Sequence, residues 1–598
     1  MATTDDDRPA TAGDAAAGDG AGDGAAAERR PARPGWTKAA KRYGPIVAVV
    51  ALVAGAVVVF GGGGDDGEDA GTGGSTEIVT GDELIRSGPM TPQKAELEGR
   101  DDVDFGPHCD PETGRLAIPM RLVPPCVEPF TGDNGGATAQ GVTADEVRII
   151  YYATDPANDP LGAAMIGDVG ADVDPDSAQR AIDAYVDLYN EYFETYGRTV
   201  VVERFVGSGA SDDVEAAKAD ALAIIEKEPF AVIGGPAQAL STFGPEIAAA
   251  GIVCGPNCSG AAPEAVIEEY APYLWLVGPT PDQTAALAAE MVAKLAGPGP
   301  AVLAGDPALQ QQDRRYAIVH YDTAEGEHQP VFEAMRDALA DEGIELTTDV
   351  EFQLDLPRMQ ENARTMVTKL KEAGVTTVIF YGDPLSPAAL TAEATAQGYA
   401  PEWILGPNVL ADTTIFARGN DGQQWSHGFG MALNPARADR DATDAFRVYR
   451  WAYGTDAPNN TVRVLEPPVR TMFAGIHMAG PELTPETLRD GLFRLPVGGG
   501  GPTVPQVSRG EHGVWPTFDW GGVDDVGVIW WDPTATGEDE VGNAGTGMYR
   551  YANGGERYTI GNLPGSPEEA GLFDLGSSVT VYDEVPEEDQ VPDYPPPR

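Results

Sequence analysis

The stretch from Pro229 to Ser259, PFAVIGGPAQALSTFGPEIAAAGIVCGPNCS, restricts the fold more than any other part of the chain. Phe230 to Ile233 is a short apolar run ending in Gly234, Gly235 and Pro236, and Ile252 to Cys254 is a second, ending in Gly255 and Pro256. A helical pattern lies between them, opening near Ser241 and closing at Ala250. Strand, glycine turn, helix, strand and glycine turn make a right-handed crossover unit of a parallel sheet. Both turns then emerge at one carboxyl edge of the sheet, where open α/β sheets hold their ligands. Bare N–H groups at such turns, backed by a helix N-terminus, suit a carboxylate or another small anion. Glycines that only make tight turns give the same pattern, so this stretch by itself leaves both readings open.

Two further segments follow it: Gln397 to Ile404, QGYAPEWI, and Ala479 to Arg489, AGPELTPETLR. In order and spacing the three segments resemble the type I periplasmic binding proteins, the branched-chain amino-acid or leucine-binding family that supplies ABC importers. The resemblance covers most of the chain, from about residue 145 to about residue 560. It implies an α/β fold of two Rossmann-like lobes with parallel sheets, joined by a multi-crossover hinge. It also implies capture of a small polar solute, amino-acid-like or a related metabolite, in a cleft between the lobes. The partners it implies are ABC permease subunits, with no cofactor, no metal and no catalysis.

Composition narrows the function classes. The net charge of −55 disfavours nucleic acid, whose phosphates such a surface repels. It reads as a solubilising surface suited to an export environment or high salt. A dinucleotide dehydrogenase needs a GxGxxG turn opening a helix, which IGGPAQ does not provide, and no GxSxG, HExxH or Walker sequence is present, so the familiar hydrolase, metalloprotease and NTPase sites have no foothold. The six histidines are scattered without ligand spacing, and no CxxC occurs. Four cysteines suggest two disulfides on the oxidising side of a membrane. Proximity favours Cys109 with Cys126 and Cys254 with Cys258, among three possible connectivities.

Taken in order, residues 1–42 read as a disordered cytoplasmic arm of Ala, Gly, Asp and Pro, closing with basic residues. Ile46 to Phe60 carries no charge, and with its flanks (43–64) it reads as a single transmembrane anchor. Arginines and lysines before it and Asp65, Asp66, Glu68 and Asp69 after it put the bulk of the chain outside the cell membrane. A cleaved signal peptide ending at Ala54-Gly55-Ala56 is the competing reading, against which stands the length of the arm. Residues 65–144 read as a flexible tether, to about Gly99, and a Cys-bracketed lead-in. Lobe 1 is expected over 145–280 and 431–500, and lobe 2 over 281–430 and 514–563. Gly428 to Ala432 is expected to return to lobe 1, Tyr273 to Val277 to be a strand, and Trp515 to Trp531 to be a hairpin crossing to lobe 2. Residues 564–598, acidic and rich in Pro, are expected to be a disordered tail.

In the family that the chain resembles, hydroxyls and backbone groups of the two lobe 1 turns hold the ligand's carboxylate and ammonium. On this chain those turns supply Pro236, Ala237 and Gln238, and Asn257, Cys258 and Ser259. Ser259 matches a hydroxyl position, whereas Gln238 stands where Ser is common and reaches further. In lobe 2, Asn408 follows Gly406-Pro407 where the family has an acidic partner for the ammonium, and Glu325 stands where an aromatic closes the site. A neutral amide forgoes a charge-assisted bond about twice as strong as a neutral one. Asp383, beside the candidate Tyr381 at another strand end, and Asp322 are candidates to restore the charge. A ligand-sensing ectodomain with a signalling partner, or a module that has lost amino-acid recognition, remain the alternatives.

Overall fold

The computed structural model describes residues 80–159, 172–236, 239–260, 262–322, 328–353, 355–406 and 410–597. The arm at 1–42, the apolar span Ile46–Phe60 and the first part of the tether lie outside the described residues. Among the described residues no helix is long and apolar enough to cross a membrane.

Strands β1 (Glu146–Ala153), β2 (Thr199–Val206), β3 (Ala231–Ile233) and β4 (Val253–Cys254) form an all-parallel sheet in the order β2-β1-β3-β4. Helices Pro175–Tyr192, Val214–Ile225 and Leu240–Ala249 make the crossovers. The order reverses between β1 and β3, which opens a crevice at their carboxyl ends. Strands β5 (Tyr316–Tyr321), β6 (Leu346–Phe352), β7 (Thr377–Tyr381), β8 (Glu402–Leu405) and β9 (Gly428–Ala432) repeat that plan as β6-β5-β7-β8-β9, again all parallel. Beyond β9, the antiparallel strands β10 (Asp525–Glu538) and β11 (Ala544–Tyr551) extend this sheet, and β12 (Arg557–Thr559) pairs with the start of β10.

Local sequence explains where the elements begin. Helix Pro281–Leu295 starts at a capping box in which Thr280 Oγ1 accepts the Gln283 N–H and Gln283 Oε1 accepts the Thr280 N–H. Helix Pro485–Phe493 uses Thr484 and Thr487 the same way, and both helices place Pro at the first position. On helix Pro175–Tyr192, Ile182, Tyr185 and Tyr189 recur on one face and are fully buried. Tyr189 meets Phe473 of helix Val462–Ala479 edge to face, with centroids 5.5 Å apart, in the core of the first lobe. Strands β5, β7, β8 and β9 are buried along nearly their whole length, as expected for parallel strands covered on both faces.

Four expectations are corrected. Gly428–Ala432 does not return to lobe 1: as β9 it pairs with both β8 and β10. The hairpin is Asp525–Glu538 with Ala544–Tyr551, later in the chain than 515–531. Trp515 and Trp520 lie in the connection before it, which a close approach of Gly522 to Val277 holds down: a Cβ at Gly522 would sit 2.1 Å from the Val277 carbonyl oxygen. Tyr273–Val277 shrinks to a single bridge between Cys254 and Leu274. Within the tether, helices Gly81–Ser87 and Pro92–Glu98 are formed, and Arg494 Nε donates to the Leu84 carbonyl.

The tail is also ordered over its described length. Val579 exchanges backbone hydrogen bonds with Tyr551, and Val581–Tyr582 pairs with Arg437–Ala438. Asp589 Oδ2 accepts from the Thr503 N–H and hydroxyl, both at 2.6 Å. Trp451 Nε1 donates to the Tyr594 carbonyl, and the Tyr594 hydroxyl donates to Asp110 of the lead-in. Both disulfides are formed as proximity suggested, Cys109–Cys126 and Cys254–Cys258, with Cα atoms 5.6 and 5.3 Å apart.

Candidate functional site

β3 ends in Gly234, whose φ of +74° only glycine adopts without strain, and a Cβ there would lie 2.9 Å from the Tyr152 carbonyl oxygen. β4 ends in Gly255, pressed from below by Met472 Sδ at 3.0 Å from where a Cβ would stand. The two turns are tied to each other: the Gly234 N–H donates to the Pro256 carbonyl at 3.2 Å. The Cys254–Cys258 disulfide closes the second turn into a ring, and Asn257 inside it is left-handed at φ +64°. Pro236, Cys258 and Ser259 are buried and Asn257 is half-buried.

Ser259 is the outstanding polar group of this edge. Its Oγ is buried and has no hydrogen-bond partner among the described residues, a condition that costs about 1–3 kcal/mol unless something else satisfies it. Its Cβ lies 2.9 Å from the Cβ position of Gly244, on helix Leu240–Ala249. That helix starts beside the first turn, and among the described residues no side chain caps its N-terminus. An uncapped helix start carries partial positive charge, which favours an anion.

In the second lobe, Tyr381 closes β7 and is buried, and burial pushes its phenol well above the ordinary tyrosine range. Asp383 follows, with its carboxylate already engaged. Oδ1 accepts the N–H groups of Leu385 and Ser386, each at 2.8 Å, and Oδ2 accepts the Ser386 hydroxyl at 2.6 Å. It is therefore spent on the turn that leads into helix Ser386–Ala396, and burial raises its carboxyl despite those bonds. Asp322 is buried at the end of β5, where Oδ1 accepts the His328 N–H. Gly406 closes β8 against the Phe380 carbonyl. Ala237, Gln238, Glu325 and Asn408 lie outside the described residues.

Each sheet thus ends two neighbouring strands in glycine at its own carboxyl edge, β3 and β4 in Gly234 and Gly255, β7 and β8 in Gly382 and Gly406. The match to a protein-family model decides what this arrangement is: the model described as periplasmic binding protein matches residues 139–515. The chain belongs to the periplasmic binding protein family. Its two sheets are those of the type I fold, mixed α/β with parallel strands. No curated protein matches the chain. Among solved structures, it is similar to a fatty acid ABC transporter substrate-binding protein from Thermomonospora curvata, at 15% identity and TM-score 0.46, covering 75% of this chain and 99% of that one. An ABC transporter substrate-binding protein from Aeropyrum pernix matches at 13% identity and TM-score 0.47, over 72% and 99% of the two chains. The branched-chain amino acid transporter substrate-binding protein of Streptococcus pneumoniae, solved with isoleucine, matches at 12% and TM-score 0.42, over 68% and 100%.

For this binding protein, the turns matched through the family resemblance pointed to Pro236, Asn257, Cys258 and Ser259, and the fold gathers these four at one edge. They did not point to Met472, which supports Gly255 from a helix more than two hundred residues later. They also gave no hint that Glu402, inside the QGYAPEWI segment, is structural. Its buried carboxylate accepts from Arg314 twice, from the Leu303 N–H and from the Thr377 hydroxyl. The charge of Glu402 and the Trp403 indole, which donates to Gln424, explain that segment without a ligand.

Proposed function

We propose that this chain is an extracytoplasmic solute-binding protein that captures a small polar ligand between its lobes for an ABC importer. The support is the lobe 1 edge: two turns tied through Gly234 and Pro256 and, among the described residues, an uncapped helix start and a buried Ser259 hydroxyl without a partner. Pro236, Ala237, Gln238, Asn257, Cys258 and Ser259 hold an anionic group of the ligand, while Tyr381, Asp383, Asn408 and Glu325 face it from lobe 2. The protein binds without turnover. A single helix at 43–64 anchors it to the membrane with the bulk of the chain outside, and permease subunits receive the solute.

Asp383 bears on the ligand class. Its carboxylate is committed to the turn that leads into a helix, so it is a weak candidate to balance an α-ammonium. This favours small carboxylates over free amino acids, in line with the reading that amino-acid recognition has been lost. Thermal-shift screening of paired carboxylates and amino acids tests the assignment, since a ligand of the folded state alone raises the melting temperature. Ser259→Ala and Gln238→Ala are expected to lower affinity for the hit and keep the fold. Unchanged affinity in both variants would refute the placement.

A further inference from the structure

The chain passes between the lobes at residues 277–283, which lead into helix Pro281–Leu295, and again before β10. These two crossovers are stitched together: the Gly522 N–H donates to the Gly278 carbonyl at 3.0 Å. At the seam two aspartates are almost wholly shielded from solvent, Asp519 at 2% exposure and Asp524 at 0%. The Ser508 hydroxyl lies 2.8 Å from Asp524 Oδ2 and 3.2 Å from Asp519 Oδ2. A hydroxyl has one proton to donate. It satisfies one carboxylate, and its contact with the other is a hydrogen bond only if that carboxyl brings a proton of its own.

The surroundings stabilise one negative charge and not two. Asp519 Oδ1 accepts from Gln283 Nε2 at 2.7 Å and from the Gly521 N–H at 2.9 Å, which marks it as the ionised member. Among the described residues Asp524 has one weak donor besides the serine, Gln506 Nε2 at 3.4 Å, and its Oδ1 has no partner. Arg509 faces both carboxyls but is engaged elsewhere: its Nη2 donates to the Leu276 carbonyl, and among the described residues its Nε has no partner. Arg470, from helix Val462–Ala479, opposes Arg509, and neighbouring Asp525 is spent on Arg557.

We propose that Asp519 and Asp524 share a single proton at the crossover seam, and that its release to solvent drives the lobes apart. With the proton present the pair carries one charge and the seam is closed. When it leaves, two carboxylates face each other across one serine hydroxyl in a dry site, and their repulsion is relieved by moving the crossovers apart. Burial and the neighbouring Asp519 push the Asp524 carboxyl up to about 7, which sets the pH at which this happens.

The test uses the full chain without ligand, so it stands or falls apart from the solute assignment. Fluorophores at Leu222→Cys in lobe 1 and Glu361→Cys in lobe 2, both exposed, report lobe separation by energy transfer from about pH 5 to about pH 9. The expected result is a separation that rises with a midpoint near pH 7. Asp524→Asn, which keeps the shape and cannot ionise, is expected to hold the acid-side separation throughout. Ser508→Ala keeps both carboxyls and is expected to move the midpoint upward, because the hydroxyl's bond favours the ionised form. A flat profile in the unsubstituted chain, the same rise in Asp524→Asn, or an unmoved midpoint in Ser508→Ala would each overturn the proposal.

Discussion

Replacing Glu402 by Gln tests how the second lobe is held together. Glu402 is fully buried and takes four hydrogen bonds: Arg314 Nη2 and the Leu303 N–H on Oε1 at 2.9 Å, Arg314 Nε on Oε2 at 2.8 Å and the Thr377 hydroxyl on Oε2 at 2.6 Å. Arg314 is nearly as buried, and the one other bond its guanidinium makes is to the Ala296 carbonyl. Removing the carboxylate charge strands a guanidinium in the interior, which costs about 3–5 kcal/mol. The cost is expected as a lower urea midpoint at unchanged slope for the transition of this lobe, followed by tryptophan fluorescence. Arg314→Met strands the opposite charge and is expected to cost a similar amount. The double variant leaves no lone charge, so the two singles are expected to overcount its loss by at least about 2 kcal/mol. A loss below about 1 kcal/mol in Glu402→Gln, or simple additivity, would refute this reasoning.

Other outcomes follow from the same structure. Cys109 and Cys126 are 17 positions apart and Cys254 and Cys258 are 4 apart. Loop-closure entropy then gives losses of about 3 and about 2 kcal/mol for the respective double Cys→Ala variants, measured by denaturant unfolding. His477 is buried and neutral: its Nδ1 accepts the Glu194 N–H, Nε2 faces the Pro125 carbonyl, and burial pushes the ring down to about 4. The unfolded chain takes up its proton first, so this residue's contribution is fully present above about pH 6.5 and is lost as pH falls toward about 4, at about 1.4 kcal/mol per pH unit. Burial raises Asp412 to about 6 and Asp524 to about 7, which gives the opposite slope. The readout is therefore the difference between the unsubstituted chain and His477→Asn, and equal acid slopes would contradict it. Truncation after Leu563 removes the partners of Tyr551, Thr503 and Trp451, and is expected to destabilise the chain measurably in the same unfolding assay. An unchanged midpoint would mean that the tail only rests on the surface.

Much of the alternation was legible because local signals and tertiary context agree. Thr280-Pro281 and Thr484-Pro485 are threonine-proline pairs that mark helix starts in the fold, and the apolar runs at β5 and β7 are buried strands. β9 was misplaced because its sequence, GFGMA, carries no pattern that names its sheet; pairing with β10, about a hundred residues later, does that. The tail misled through composition. Its proline and acidic content predicts too little apolar burial to order it, yet single long-range bonds, Asp589 to Thr503 and Tyr594 to Trp451, fix it. At the site, the family resemblance pointed to Ser259 and Asn257. It had no way to show that Asp383 is occupied by the turn into its own helix, because an aspartate before a helix reads the same whether it bonds that turn or a ligand.

Hydrogen exchange, with and without the ligand identified by thermal shift, tests the central claim most directly. The account predicts slowed exchange at the backbone N–H groups of residues 234–242 and 255–260, together with those around Tyr381 to Ser386. Protection confined to the lead-in and tail, or to one lobe alone, would contradict a solute held between the two glycine-turn edges.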